Sequence, residues 1–400
     1  MEFILTSAPG LEELTKSELT ELGVNAELDA PGALRFEGTW EDAANVLTYS
    51  RTASRLLITL RKFTARNQAM LYDQCRRIEW AKLFKNYDHT FAVFTHGTIV
   101  DADYNLKYAA LKIKDAICDE VKKYQGDRPN VDRQNPNIRI EAFFHGGKCE
   151  ISVDLSGEPL HRRGYREEAG EAPLRENRAA ALLKFAGWDG TQKLIDPFCG
   201  AGTILVEAAL LAQNRAPGLL KNIESYAGVH IVPELMTALE KVRKGAAKAA
   251  VVFKGRIYGS DISPVAVKLT RQHLKGAGAS HLVSVDQKDA LNLRETDALI
   301  VCNPPYGERL KEEDAADLIS KFVRQVKHHC APATLVLVIP KGELEKSVGL
   351  KPEKSLSVEN GSMTLKFLKF DIFAGKIENS PKKLLMSGKA NLAKKKTVKK

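Results

Sequence analysis

Over residues 1–62 the apolar positions alternate in short runs, interrupted by stretches that step by three and four. The order reads strand (Phe3–Leu5), helix (Leu11–Leu22, stopped by Gly23), strand (Val24–Leu28), strand (Ala33–Glu37), helix (Trp40–Tyr49) and strand (Leu56–Leu60). That is the split βαβ pattern of a ferredoxin-like domain. About 60 residues bury only a small core, so this unit is expected to lean on a neighbour.

Residues 63–155 predict a second α+β module. Helical patterns cover Met70–Phe84 and Lys107–Tyr124, and on the latter Ala110, Ile113, Ile117, Val121 and Tyr124 fall on one face expected to be buried. The module ends in a hairpin. Ile138, Ile140, Ala142 and Phe144 alternate on one strand and Cys149, Ile151, Val153 and Leu155 on the other, with Gly146-Gly147 where a tight turn needs positive φ.

Residues 156–190 read as a connector, with Pro173 opening a helix over Leu174–Phe185. From 191 to 376 strands and helices alternate, the signature of an α/β domain with a parallel sheet. The segment 213–255 is longer than an ordinary crossover and carries no recognisable chemistry. Strands near Thr334–Ile339 and Thr364–Phe373 close the domain, and 377–400 reads as a disordered lysine-rich tail.

Charge changes little in this picture. Eight of the 60 Lys and Arg residues lie between Pro381 and Lys400, where there is no acid, so 52 basic groups face 50 acidic ones elsewhere. Any nucleic-acid surface must therefore be a local patch. The six cysteines are scattered, with no Cys-x-x-Cys pair and no histidines at ligand spacing, which predicts neither a metal site nor a disulfide framework. The start Met1-Glu2-Phe3-Ile4-Leu5 has no basic leader, and apolar runs such as Leu335–Ile339 are too short to span a bilayer. A cytoplasmic protein without a membrane partner is expected.

Two strand-loop junctions carry the candidate chemistry. Lys193–Thr203 reads as strand, glycine turn and helix. Gly200 and Gly202 remove Cβ atoms where a ligand approaches the backbone, Asp196 closes the strand, and Pro197, Phe198 and Thr203 complete the loop. The third glycine of a dinucleotide fingerprint is missing, and the next strand-end acid, Asp261, lies far beyond the usual 20-residue spacing. Asp196, Asp261, Asp289 and Asn303 are expected together on the carboxyl edge of one sheet, where ligands bind in open α/β folds.

The second junction is Asn303-Pro304-Pro305-Tyr306. A side-chain carbonyl, a prolyl backbone carbonyl and an aromatic face could hold a planar amino group by its hydrogens and aim its nitrogen at an electrophile. The alternative is a plain strand-ending turn. In the connector, Arg162, Arg163, Tyr165 and Arg166 offer guanidiniums around one ring, a mix that binds phosphate and stacks on an unpaired base. Glu167, Glu168, Glu171 and Glu176 leave self-paired surface charge as the competing reading. Arg128 and Arg133 flank a Pro/Asn loop, placed either on phosphate or in solvent.

Asp196–Thr203 (DPFCGAGT) and Asn303–Leu310 (NPPYGERL) resemble the S-adenosylmethionine-dependent RNA guanine methyltransferases that carry a THUMP domain. The closest likeness is to enzymes that methylate the exocyclic 2-amino group of a 23S rRNA guanine. Leu11–Leu14, Ser50–Arg55, Arg128–Arg133, Asp154–Gly157 and His161–Arg166 extend the likeness over about residues 1–375. The resemblance implies a Rossmann-like class I methyltransferase domain at 191–376 with an antiparallel last strand, preceded by a ferredoxin-like domain (1–62) and a THUMP domain (63–155) that grips structured RNA.

It further implies S-adenosyl-L-methionine over the 196–203 loop, Asp261 on its ribose and Asp289 on its adenine amine. Asn303, Pro304, Pro305 and Tyr306 would act on the guanine. The expected partner is 23S rRNA or a large-subunit assembly intermediate, not DNA. Rival readings are methylation of a tRNA guanine or another amino group, a largely non-catalytic ribosome-assembly factor, and a nicotinamide oxidoreductase.

Overall fold

The computed structural model describes residues 1–85, 88–100, 103–166, 174–307 and 310–374. The acids Glu167, Glu168 and Glu171, residues Glu308 and Arg309, and the lysine-rich tail lie outside these.

The N-terminal half contains strands β1 (Glu2–Thr6), β2 (Ala26–Ala30), β3 (Ala33–Glu37), β4 (Arg55–Thr64), β5 (Phe91–Gly97), β6 (Ile138–His145) and β7 (Lys148–Asp154). With them come helices α1 (Glu12–Glu21), α2 (Trp40–Tyr49), α3 (Gln68–Arg76) and α4 (Leu106–Gln125). Thr39 starts α2 with a capping box closed by Asp42, which satisfies two otherwise orphaned backbone donors. Gly146 and Gly147 take positive φ in the β6–β7 turn as expected.

The ferredoxin-like and THUMP units are not separate layers. All seven strands form one sheet in the order β2-β3-β1-β4-β7-β6-β5, and the expected boundary at 62/63 falls inside β4. The first half of β4 pairs with β1 on one edge, and β4 pairs with β7 from Leu57 to Thr64 on the other. Arg35 on β3 reaches across this seam to Glu150 on β7 with two bonds of 2.8 Å.

The helix expected over Met70–Phe84 stops at Arg76. Trp80 turns back to donate its indole N–H to the Cys75 carbonyl at 2.8 Å, and this folds Trp80 and Phe84 into the core. Tyr124, expected on the buried face of α4, is exposed because it sits in the last turn, past the sheet that covers the helix.

The second sheet contains β8 (Lys193–Asp196), β9 (Ile257–Asp261), β10 (Val283–Gln287), β11 (Ala298–Cys302), β12 (Ala333–Pro340), β13 (Lys354–Asn360) and β14 (Met363–Ile372). Its order is β10-β9-β8-β11-β12-β14-β13, parallel from β10 to β12, with β14 antiparallel to β12 as the resemblance implied. The chain reverses direction of winding between β8 and β11, the switch point at which such sheets bind ligands.

Its helices are α5 (Glu176–Ala186), α6 (Thr203–Ala212), α7 (Ala227–Ile231), α8 (Pro233–Lys248), α9 (Pro264–Gly276), α10 (Glu312–His329) and α11 (Glu343–Ser347). The middle of the long segment after α6 leaves this domain. Tyr226, Ile231, Leu235, Leu239 and Val242 share one apolar core with the N-terminal sheet. Tyr226 donates its hydroxyl to the Leu47 carbonyl at the end of α2. Gly218 presses so close to α2 that a Cβ there would stand 2.7 Å from the Leu47 oxygen. The small N-terminal core is thus completed from the far side of the molecule.

Candidate active site

The strand order puts Asp196, Asp261, Asp289 and Asn303 at the carboxyl ends of four adjacent strands, β8, β9, β10 and β11. Asp261, Asp289 and Asn303 border a cleft of about 860 Å³. Its floor is the glycine loop after β8. Gly200 (φ +52°) and Gly202 (φ +75°) both take the left-handed conformation that L side chains rarely adopt. A Cβ on Gly200 would meet nothing closer than the Phe198 oxygen at 4.0 Å and would project into open space, whereas one on Gly202 would meet Thr270 Cγ2 at 2.7 Å.

Neighbouring elements pin this loop. Asp261 accepts the Gly200 N–H through Oδ2 and the Ser263 N–H through Oδ1, each at 2.9 Å. Thr270 donates to the Gly200 carbonyl at 2.8 Å, and His273 Nδ1 donates to the Ala201 carbonyl at 2.8 Å, both from α9. Each Asp261 oxygen keeps a second lone pair for a hydroxylated ligand. Asp289 uses one oxygen to accept the Leu291 N–H.

Pro197, Phe198, Gly200, Asp261, Asp289, Asn303 and Pro305 line the cleft. Asp196, Gly202 and Thr203 stand behind its wall. Asp196 is buried, and desolvation drives its carboxyl well above the ordinary range while its Oδ1 accepts the Phe198 N–H. The buried Thr203 hydroxyl accepts a bond from Arg166 at 2.5 Å. Thr203 therefore supports the loop and does not face a ligand.

Sequence reasoning missed Ile262 and Val265, large apolar side chains 68 % and 73 % exposed that form one wall of the cleft. Exposed apolar residues beside a strand-end acid offer a dry slot for a flat ring. The signal was the apolar pair flanking Ser263-Pro264 immediately after Asp261.

On the opposite rim, the Asn303 side-chain oxygen is buried and has no hydrogen-bond partner. A buried orphan acceptor costs about 1–3 kcal/mol unless a ligand supplies the donor. Pro304 is buried, while Pro305 and Tyr306 are half-buried, and Tyr306 packs against the apolar residues on both faces of the sheet.

The connector departs from expectation. Arg163 is buried, with Nε 3.4 Å from Glu207 on α6, and donates to the Leu160 and Arg51 carbonyls. Tyr165 is buried over α9, where Gly276 leaves room for its backbone. Neither can reach an RNA. Arg166 is ion-paired with Glu176 at 3.2 Å and bonded to Thr203 and the Leu174 carbonyl, so it belongs to the support of α6. Arg162 is exposed and paired with Glu158, Arg128 is exposed and paired with Asp119, and Arg133 is exposed. All six cysteines are buried and unbridged. Among the described residues no group of His, Cys, Asp and Glu is arranged to hold a metal, and no helix is long and apolar enough to cross a membrane.

The family model of the RMKL-like methyltransferase domain matches residues 163–369, which include the glycine loop, every strand end of the cleft and the Asn303–Tyr306 loop. The chain belongs to the RMKL-like methyltransferase family. Models of the RlmL ferredoxin-like domain and the THUMP domain match residues 2–57 and 65–154 of this family member.

A curated relative from Psychromonas ingrahamii, named ribosomal RNA large subunit methyltransferase K/L, is 35% identical over 368 residues. The match covers 90% of the RMKL-like chain and 49% of the relative, so the chain spans about half the length of that protein. Among solved structures, a possible methylase from Clostridium difficile 630 aligns with a TM-score of 0.82 at 27% identity, covering 94% of this chain and 99% of its own. SMU.472, solved in complex with SAH, aligns with a TM-score of 0.80 at 24% identity over 94% and 99% of the two chains, a likeness of fold.

Proposed function

We propose that this RMKL-like chain transfers a methyl group from S-adenosylmethionine to the exocyclic 2-amino group of a guanine in RNA, with large-subunit 23S rRNA as the substrate. The observation that carries the reading is the orphan Asn303 oxygen, a buried acceptor on the rim of a cleft whose floor is a glycine loop. The residues fit the cofactor. Gly200 leaves space where a Cβ would intrude, Asp261 has acceptor capacity for two ribose hydroxyls, and Ile262 and Val265 provide an apolar wall for adenine. The SAH held by SMU.472, whose fold is shared, supports the same assignment.

When bound, S-adenosylmethionine supplies an electrophilic methyl on a sulfonium that departs as a neutral thioether. The chain's own part is to bind and orient. The guanine is extruded from its stack at a cost of a few kcal/mol and rests against Tyr306. Its amino hydrogens are accepted by Asn303 Oδ1 and the Pro304 carbonyl, which return electron density to a nitrogen otherwise delocalised into the ring. Both acceptors gain strength as positive charge develops there. No strong base is required, because the nitrogen becomes acidic only once alkylated and then releases its proton to water. The name of the Psychromonas relative and the THUMP match favour ribosomal RNA as the acceptor.

The test is transfer of labelled methyl from S-adenosylmethionine to RNA, DNA and protein side by side, followed by nucleoside analysis of the product. N2-methylguanosine in 23S rRNA, and its absence at one guanine in cells lacking the gene, is the expected result. Label on adenine, DNA or protein alone would overturn the assignment.

A further inference from the structure

His161, Arg175 and Arg178 form a corner beside Tyr306 that the methyl-transfer chemistry leaves unused. Arg178 lies in the first turn of α5 and is only 5 % exposed. Its Nη2 donates to the Glu359 carbonyl on β13 at 2.9 Å, while Nε and Nη1 are buried with no acceptor. Each orphaned donor costs about 1–3 kcal/mol. The groups that bear on its charge are Arg175, which opposes it, and Tyr306.

His161 lies in the same field. Its Nδ1 is buried without a partner, and burial together with Arg175, Arg163, Arg178 and Arg162 pushes its pKa down to about 3. Two of those arginines are already neutralised, Arg163 by Glu207 and Arg162 by Glu158. Among the described residues Arg175, exposed at the N-cap of α5, and Arg178 have no ion pair. The nearby carboxylate, Glu176, is committed to Arg166.

Cations at a helix N-terminus oppose the macrodipole, which favours negative charge there. A bound anion with several acceptor oxygens would relieve the unpaired donors and the mutual repulsion together. The location narrows the choice. Asn177 ties α5 to the Thr52 carbonyl and the Ser54 hydroxyl of the N-terminal domain, and Arg178 ties it to the β13 backbone, so the corner lies where both domains meet the amine-acceptor loop.

We infer that His161, Arg175 and Arg178 form a subsite for a backbone phosphodiester of the substrate strand, next to the nucleotide presented to Asn303. The inference rests on the reading of the substrate as RNA and deepens it. It moves the phosphate contact from Arg163 and Arg166, which the fold consumes, to two arginines further along the same segment.

The test uses the full chain and a 5′-fluorescein decauridylate carrying one central guanosine. Anisotropy gives its affinity between 50 and 200 mM KCl for the wild type, Arg175→Glu, Arg178→Gln and the double variant. Calorimetry with S-adenosylhomocysteine and a melting curve accompany each. The expected result is affinity about ten-fold weaker at 50 mM for each single variant. The slope of log K against log salt should fall by about 0.7 for each lost single-strand phosphate contact, with S-adenosylhomocysteine binding unchanged.

A folded Arg175→Glu protein with wild-type affinity and slope overturns the subsite. Should the buried Arg178→Gln fail to fold, Arg175→Glu decides alone, because its side chain is exposed and a carboxylate suits that helix end. Methylation of some base other than guanine refutes the functional reading and leaves the slopes to judge the subsite. Failure of the wild type to bind the probe overturns the subsite and leaves the functional reading to the methyl-transfer assay.

Discussion

The Asp261 carboxylate accepts the Gly200 N–H at 2.9 Å, so the end of β9 holds the loop that follows β8. Replacing Asp261 with Ala removes that bond, the one to Ser263 and the expected ribose acceptor. Calorimetry with S-adenosylhomocysteine should show binding weaker by about 3 kcal/mol, roughly a hundred-fold. Binding within three-fold of wild type would detach Asp261 from the cofactor.

The two loop glycines should fail in different ways. Gly202→Ala drives a Cβ against Thr270 in a left-handed backbone and should lose about 1–3 kcal/mol of stability in urea titration. Gly200→Ala incurs only the left-handed penalty of about 1–2 kcal/mol, and its added methyl enters the cleft, so ligand affinity should fall further than stability does. The reverse ranking would mean that the cleft floor has been misplaced.

For Asn303→Ala, the acceptor proposed for the amine is lost while the loop keeps both prolines. Single-turnover rates with saturating cofactor and RNA should drop about 10²–10³-fold, the usual scale for one preorganised polar group at a reacting centre. RNA affinity should hold. Near-normal turnover would reduce the Asn303–Tyr306 loop to the plain turn that its composition also allows.

Asp196 makes a pH-dependent prediction. Burial raises its folded-state pKa above the unfolded value of about 3.9. Stability from its neutral form is complete below that unfolded value and is lost as pH rises toward the folded one. Asp196→Asn keeps the carbonyl that accepts from Phe198 and removes the titration. Urea midpoints should therefore converge at pH 4 and favour the variant at pH 8; parallel profiles would contradict the shift.

Arg163→Ala leaves Glu207 buried without its counter-charge, and breaking such a pair costs about 3–5 kcal/mol. The protein should be markedly less stable, yet the salt slope of RNA binding should stay that of the wild type. A changed slope in folded protein would restore Arg163 as a phosphate contact.

Much of the catalytic half was legible because its signals are local. Glycines at 200 and 202, an acid at each of three strand ends and an amide at the fourth are punctuation that needs no tertiary knowledge. The connector was not legible. Between Gly157 and Pro173 there is no period to tell inward from outward positions, so Arg162, which is exposed, and Arg163, which is buried, look equivalent in sequence. Edge strand β13 was missed because its solvent-facing residues dilute the apolar alternation. The sharing of one sheet through β4 depends on which strands pair, and pairing partners far apart in sequence leave no trace in either strand alone.

The excursion after α6 has an evolutionary corollary. Because α7 and α8 depart from the catalytic sheet to fill the hollow beneath α2, the front half cannot be exchanged for a different reader as a cassette. A graft would have to bring a matching underside, or else strand a greasy helix in water. Diversification of such molecules is therefore expected at the outer rim of the first sheet, and its root should change only in step with residues some two hundred positions downstream.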